Sequence, residues 1–514
     1  MKVKFRIVGA VLATALVAAA VYYARSGQST ADNTPIFEAN KTTIRLWYTD
    51  EVLTDYLTGK AVEFNNMNNN ARVELECVSG LEYLENIGKA SVENENFPDV
   101  FITTHDCLEK AYLAGLACEV SDMEGLSYSD SALNAVSYKG KYIAYPYYFE
   151  TSSLLYNKTY LADEAKAELQ AEIDAAEGEA AQAEIDAGNT PEEDKTTEES
   201  SENSENVEAA GSEKDEGMDD IQPEASEDEY SDISQEQIDE KVASMLPSTI
   251  EDVLLFADNY NAPEAVESVF EWDVTDIFYN YFFVGNYINL GGAAGDDISQ
   301  IDVYNENAIN CMSFYQQLNQ FFAIDEEVVT YDHVMQDFID GKTVFTVATT
   351  DAVAKIEEAK ANGECNFEYG VTTMPALNSN YGTRTMSVTN CLVVNGFSDH
   401  IEKAKEFAKF LAGEKTDDMY KSSGKLLASQ SLTYENDSLN SFVSVYANSV
   451  PMPKLMATSN FWVQLEIAFA NIWDGAGVND TLKTLSENVK LQINGEVVEE
   501  ERLPDPTVII TDAE

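Results

Sequence analysis

The sequence predicts an α/β protein built from two packed blocks, and three observations carry that expectation. Short apolar, β-branched runs alternate with segments of helical periodicity along most of the chain. Its 514 residues exceed one ordinary domain, and a 44% hydrophobic content is ample for two cores. One stretch, 162–246, interrupts the alternation with 30 acidic residues against 4 basic ones.

The chain opens with Lys2, Lys4 and Arg6 before an uncharged apolar run from Ile7 to Ala24, the pattern of an export signal. The run is near the lower length for spanning a bilayer, and Tyr22, Tyr23 and Arg25 stand where an interfacial belt would lie. Residues 1–40 are therefore expected to be a signal peptide or an N-terminal membrane anchor plus linker. Acylation needs a cysteine just after the apolar run, and the first cysteine is Cys77, so a lipoprotein is excluded.

Thr43 to Tyr48 reads as the first strand, followed by a helix over Asp50 to Asn65, a strand over Arg72 to Cys77 and a helix over Tyr83 to Glu93. Asp99 to Thr103 predicts a strand and Asp106 to Ala114 a helix, with Gly115 as its stop. Beyond the acidic stretch, Pro247 to Asn259 and Glu306 to Phe322 are helix-like, and Thr343 to Ala348 and Ser387 to Val394 are strand-like. Ile401 to Ala412, Phe461 to Trp473 and Asp480 to Ile493 carry helical apolar periodicity. Segments 162–246 cannot bury enough apolar surface to offset their ordering entropy. They are expected to form a solvated, disordered insertion in a surface loop, helical at most from Ala162 to about Ala187.

The formal net charge of −61 argues against partners that present phosphates, so no nucleic acid partner is expected. The six cysteines lack CxxC spacing, which disfavours zinc and redox sites; Cys107 and Cys118 are left as either a disulfide or buried thiols. His105, His333 and His400 are too dispersed to suggest a triad or a metal cluster, and no GxSxG, HExxH, Walker A or Rossmann glycine pattern is present. No metal, no cofactor and no catalysis are expected.

Four stretches in order carry a family resemblance: Phe97 to Val120, Tyr138 to Leu161, Tyr369 to Leu377, and Pro451 to Gly475. Together they resemble the extracellular solute-binding proteins of ABC importers, in particular the maltose and maltodextrin group. The resemblance implies a two-lobed periplasmic-binding-protein-like fold of class II, with a ligand cleft between lobes. By that match, lobe 1 takes 43–149 and 386–434, and lobe 2 takes 151–161, 247–380 and 439–500, with 162–246 inserted in lobe 2. It further implies a monomer that captures a saccharide outside the cell and hands it to permease subunits with their ATPase.

A sugar site needs carboxylates and amides for hydroxyl groups and aromatic faces for the rings. Asp106 coincides with the family's ligand carboxylate, or else caps the helix that starts there. Glu150 matches a ligand-touching position at a hinge, and Asp50 or Glu51 follows the first strand, where either also suits a helix terminus. Trp462 matches the family's stacking tryptophan, while Trp272, Tyr279 and Tyr281 lie in the aromatic stretch FEWDVTDIFYNYFF used for one wall of the subsites. Trp47, inside the first strand, is expected to be buried.

Departures from the family pattern bear on the ligand. Thr103 replaces an aromatic, Cys107 an arginine, and Asp351 stands where a tryptophan would be, so a short oligosaccharide is expected rather than a long maltodextrin. A surface sensor or adhesin of the same fold, or a binder of a polar ligand such as a polyamine, are the alternatives; a glycosidase using Asp106 and Glu150 is the enzyme alternative.

Overall fold

The computed structural model describes residues 41–80, 82–94, 96–186, 233–322, 324, 328–507 and 510. The predicted export segment and most of the acidic stretch lie outside these residues. The α/β class is as expected, and the chain divides into two compact units. The first comprises residues up to Ser127, Val136–Tyr147 and Asn390–Ser423; the second comprises Tyr128–Ala135, Tyr148–Thr389 and Gly424 onward.

In the first unit, strand Thr42–Tyr48 runs parallel to Ala71–Cys77 over its whole length, with Ile44 opposite Val73. On its other edge it runs parallel to Val100–Thr104, and that strand pairs antiparallel with the unit's share of Met386–Val394, Cys391 opposite Thr103. Both faces of this sheet are covered, as the near-continuous apolar runs require. Ile44 and Leu46 have no exposed surface, and on the opposite face Trp47, Phe101, Leu108, Cys391 and Val393 share one cluster. Helices Thr54–Met67, Tyr83–Glu93 and Ile401–Ala412 follow the predicted periodicity. The helix expected from Asp106 is shorter: a 3-10 turn, His105–Cys107, leads into Leu108–Leu113, and Gly115 ends it at φ 75°. That left-handed conformation is costly for any residue with a Cβ.

The second unit is built on strand Tyr145–Asn157, whose part from Tyr148 belongs to it. Thr343–Thr349 pairs antiparallel on one side, Thr349 opposite Ser152, and Tyr369–Thr372 antiparallel on the other, Tyr369 opposite Asn157. Ser268–Glu271 extends the sheet parallel to Thr343–Thr349. Helices Ile250–Asn259, Glu306–Leu318, Phe461–Trp473 and Val478–Asn494 surround an aromatic core in which Trp272, Phe283, Tyr315 and Trp473 meet ring to ring.

The ends of the acidic stretch are ordered parts of this core. Helix Lys158–Asp186 buries Ala165, and helix Gln235–Met245, opened by a Ser234/Gln237 capping box, buries Ile238 and Val242. Lys241 ties the two together through Glu168 at 2.8 Å and Glu172 at 2.9 Å. Among the described residues no helix is long and apolar enough to cross a membrane.

Candidate functional site

The residues with the most evident capacity to hold a polar, ring-bearing ligand line one part of the second unit. Beyond strand Ser268–Glu271, Asp276 accepts the Phe278 N–H at 2.7 Å and so starts the single turn Ile277–Asn280. That turn positions Tyr279, whose ring stacks on Tyr331 at 4.8 Å with an interplanar angle of 14°. Thr330 caps the helix Tyr331–Ile339 and fixes Tyr331 at its first position.

Asp351 closes the group. It accepts from the Tyr331 hydroxyl at 2.7 Å, from the Thr349 hydroxyl, and from Lys355 at 3.0 Å one turn further on. Burial works against its charge, but the hydrogen bonds from Thr349, Tyr331 and Lys355 prevail and hold its carboxyl below the usual aspartate range. Burial, with the Asp276 and Asp351 carboxylates adding to it, pushes the Tyr279 phenol far up; burial and Asp351 do the same to Tyr331. Both phenols therefore stay neutral hydrogen-bonding groups at ordinary pH, and Lys355 lies 4.6 Å from the centre of the Tyr331 ring.

Trp462 sits in the first turn of Phe461–Trp473, edge-on to Tyr281 at 5.5 Å, and keeps part of its ring exposed. Glu466, one turn on, has its carboxyl pushed up by burial and by the neighbouring Asp276 and Asp273. An indole face one turn from a carboxylate suits a polyhydroxylated ligand. Glu150 lies on the central strand two residues before Ser152, so on the same face. Ser152 donates to the Phe278 carbonyl at 3.4 Å, and Glu150 is ion-paired with Lys425 at 3.0 Å.

Two expected wall residues are corrected. Trp272 has no exposed surface, stacks on Phe270 at 4.7 Å and donates its indole N–H to Asn280 at 2.8 Å, so no face is left for a ligand. Tyr281 is likewise buried and serves as the platform under Trp462 rather than as a contact. Aromatic density in the sequence does not separate packing rings from presented ones.

In the first unit, Asp106 occupies the middle of its 3-10 turn and caps nothing: the turn's N-cap is Thr104, and the following helix starts without a side-chain cap. Its Oδ1 is buried with no hydrogen-bond partner, a lone acceptor that calls for a donor. The Cys107 thiol beside it is pushed up by burial and then by Asp106, and it is free, as is Cys118. Asp50 caps the 3-10 turn Glu51–Leu53 through the Val52 N–H at 3.3 Å, and Glu51 is exposed in that turn. Trp47 is buried as expected.

Sequence reasoning overlooked Tyr331, Lys355, Asp276, Glu466 and Lys425. Asp351 and Lys355 at i,i+4 are a readable helix pair, and Thr330 is a readable cap. Lys425 gave no signal, because only strand pairing of Leu426 with Phe149 brings it to Glu150.

A family profile described as bacterial extracellular solute-binding protein matches residues 61–426. Among solved structures, an extracellular solute-binding protein from Staphylococcus aureus in complex with maltose aligns with TM-score 0.61 at 18% identity, covering 90% of this chain and 98% of that one. A cyclo/maltodextrin-binding protein complexed with maltotetraose also gives 0.61, at 16% identity over 91% and 98%. MalX from Streptococcus pneumoniae in complex with maltopentaose gives 0.57 at 16% identity over 88% and 99%. At these identities the likeness establishes the fold alone.

Proposed function

The chain belongs to the bacterial extracellular solute-binding proteins, and from that premise we propose that it captures a short oligosaccharide outside the cell and delivers it to the permease of an ABC importer. The observation that carries the reading is the wall in the second unit, where the partly exposed Trp462 rests edge-on to Tyr281 one turn before the Glu466 carboxylate, and where Asp351 holds the Tyr331 hydroxyl. An aromatic face covers the apolar side of a sugar ring, and fixed acceptors take its hydroxyl protons. In the first unit Asp106 has one buried carboxylate oxygen without a hydrogen-bond partner, and in the second Glu150 supplies a further acceptor once Lys425 yields it or joins it on the ligand. Three of the similar structures hold malto-oligosaccharides, which supports a saccharide as the ligand class.

On this reading the protein performs no chemistry, residues 1–40 direct export or hold the chain at the membrane, and it works as a monomer. Capture is tested by thermal shift and calorimetry of the full chain against maltose, longer malto-oligosaccharides, other saccharides and polyamines, with the sugars analysed afterwards. A saccharide that raises Tm by linkage and returns intact is the expected result. Stabilisation by polyamines alone would replace the ligand class, and cleaved sugar would make the protein an enzyme.

A further inference from the structure

Away from this wall, we propose that Glu271, His333 and Asp337 form a binding site for a divalent transition-metal ion of the zinc type. One ligand-capable atom of each lies within 4.8 Å of the others. His333 and Asp337 stand one turn apart on helix Tyr331–Ile339 and point to one face, while Glu271 ends the strand Ser268–Glu271 packed against it. Glu271 is distant in the sequence from the His333 and Asp337 pair, and a single histidine takes part, which is why the dispersed histidines suggest no metal.

The geometry fits a small ion. The His333 Nε2 to Asp337 Oδ2 distance is 3.3 Å, and two ligands about 2.0–2.1 Å from a tetrahedral ion lie about 3.4 Å apart. Lys342 holds Asp337 Oδ1 at 3.0 Å, which orients the carboxylate and leaves Oδ2 for the ion, the outer support that ligating carboxylates ordinarily have. All three ligands border an open cavity of about 880 Å³, also lined by Glu251, Asp258 and Glu267, which gives entry and room for a water in the fourth position. Two carboxylates, with those of Glu251, Asp258 and Glu267 on the same cavity, face one lysine, so a dication compensates charge that the protein leaves in excess. The imidazole nitrogen favours a transition metal over Ca²⁺ or Mg²⁺, which take oxygen ligands. Bound metal ties the helix that carries Tyr331 to the neighbouring strand.

With 92 acidic residues the chain will take up cations weakly at many places, so the test needs a signal specific to this ligand set. Metal-free full-length protein is titrated with Co²⁺ and its visible d–d absorption followed, with Zn²⁺, Ca²⁺ and Mg²⁺ as competitors. The expected result is a saturable band at one equivalent, displaced by equimolar Zn²⁺ and unaffected by Ca²⁺ or Mg²⁺. His333→Ala should abolish it, and Glu271→Gln should weaken binding by at least the roughly 10-fold that even outer-shell changes cost. His333 is exposed and the substitution leaves the core untouched, and circular dichroism verifies the fold of both variants. Absence of a saturable band, an equal band in both variants, or displacement by Ca²⁺ overturns the proposal.

Discussion

Trp462 and Trp272 carry the same side chain in opposite settings, and substitutions separate them. Trp462→Ala removes a partly exposed ring and is expected to weaken saccharide binding by about 1–2 kcal/mol, roughly 5- to 30-fold, with little change in Tm. Trp272→Phe leaves the buried side-chain Oδ1 of Asn280 without its donor and should lower stability by about 1–3 kcal/mol while affinity holds. Calorimetry beside thermal denaturation reads both, and a reversed pattern would exchange their roles. Glu414 supplies a pH dependence. Burial opposes its charge, but Lys60 and the Thr416 and Lys415 N–H groups outweigh it and hold its carboxyl below the usual glutamate range. Stabilisation by this group is then full above the unfolded value of about 4.3 and lost as pH falls through the folded one. The raised Lys60 ammonium, for which burial is opposed by Glu414 and Glu63, adds stability that persists below its unfolded value and is lost as pH rises through the folded one. Glu414→Gln should cost about 1.5–3 kcal/mol at neutral pH and flatten the acid fall of Tm; parallel acid profiles would dismiss the pair.

Helices Lys158–Asp186 and Gln235–Met245 alter what the acidic stretch means for stability. Their inner faces bury Ala165, Ile238 and Val242, so excision is tolerated only between them. Replacing 187–232 with a short Gly/Ser linker is expected to leave Tm nearly unchanged, because loop length enters closure entropy only logarithmically. Removing 163–241 takes the buried side chains too, and an Ile-to-Ala loss alone costs about 2–5 kcal/mol. Equal melting temperatures for the two deletions would show that the helices contribute nothing. The amphipathic signal of Gln235–Met245 is hidden in sequence, since two buried positions among acidic neighbours read as a solvated face until a packing partner is known.

Across the whole molecule, 92 acidic and 31 basic residues leave strong self-repulsion in the folded state. Screening it should raise Tm as sodium chloride increases from about 10 mM to a few hundred millimolar, where the Debye length shrinks from about 30 Å to below 8 Å. Scanning calorimetry across that range checks it. A falling Tm would mean that the surface ion pairs outweigh the repulsion.

Much of the fold was legible along the chain. Strand Thr42–Tyr48, helix Tyr83–Glu93, helix Ile401–Ala412 and helix Phe461–Trp473 match the periodicity because burial of one face dictates which positions are apolar. Composition and motif order, by themselves, determined the α/β class and the family. Which rings are presented and which are packed, and which distant ligands meet, was decided only by tertiary structure: Trp272 against Trp462, Tyr331 beside Asp351, and Glu271 beside His333 differ in contacts formed across the sheet. Pairing register and side-chain burial are relations between segments, and a linear pattern records only the relation of each residue to its own helix or strand.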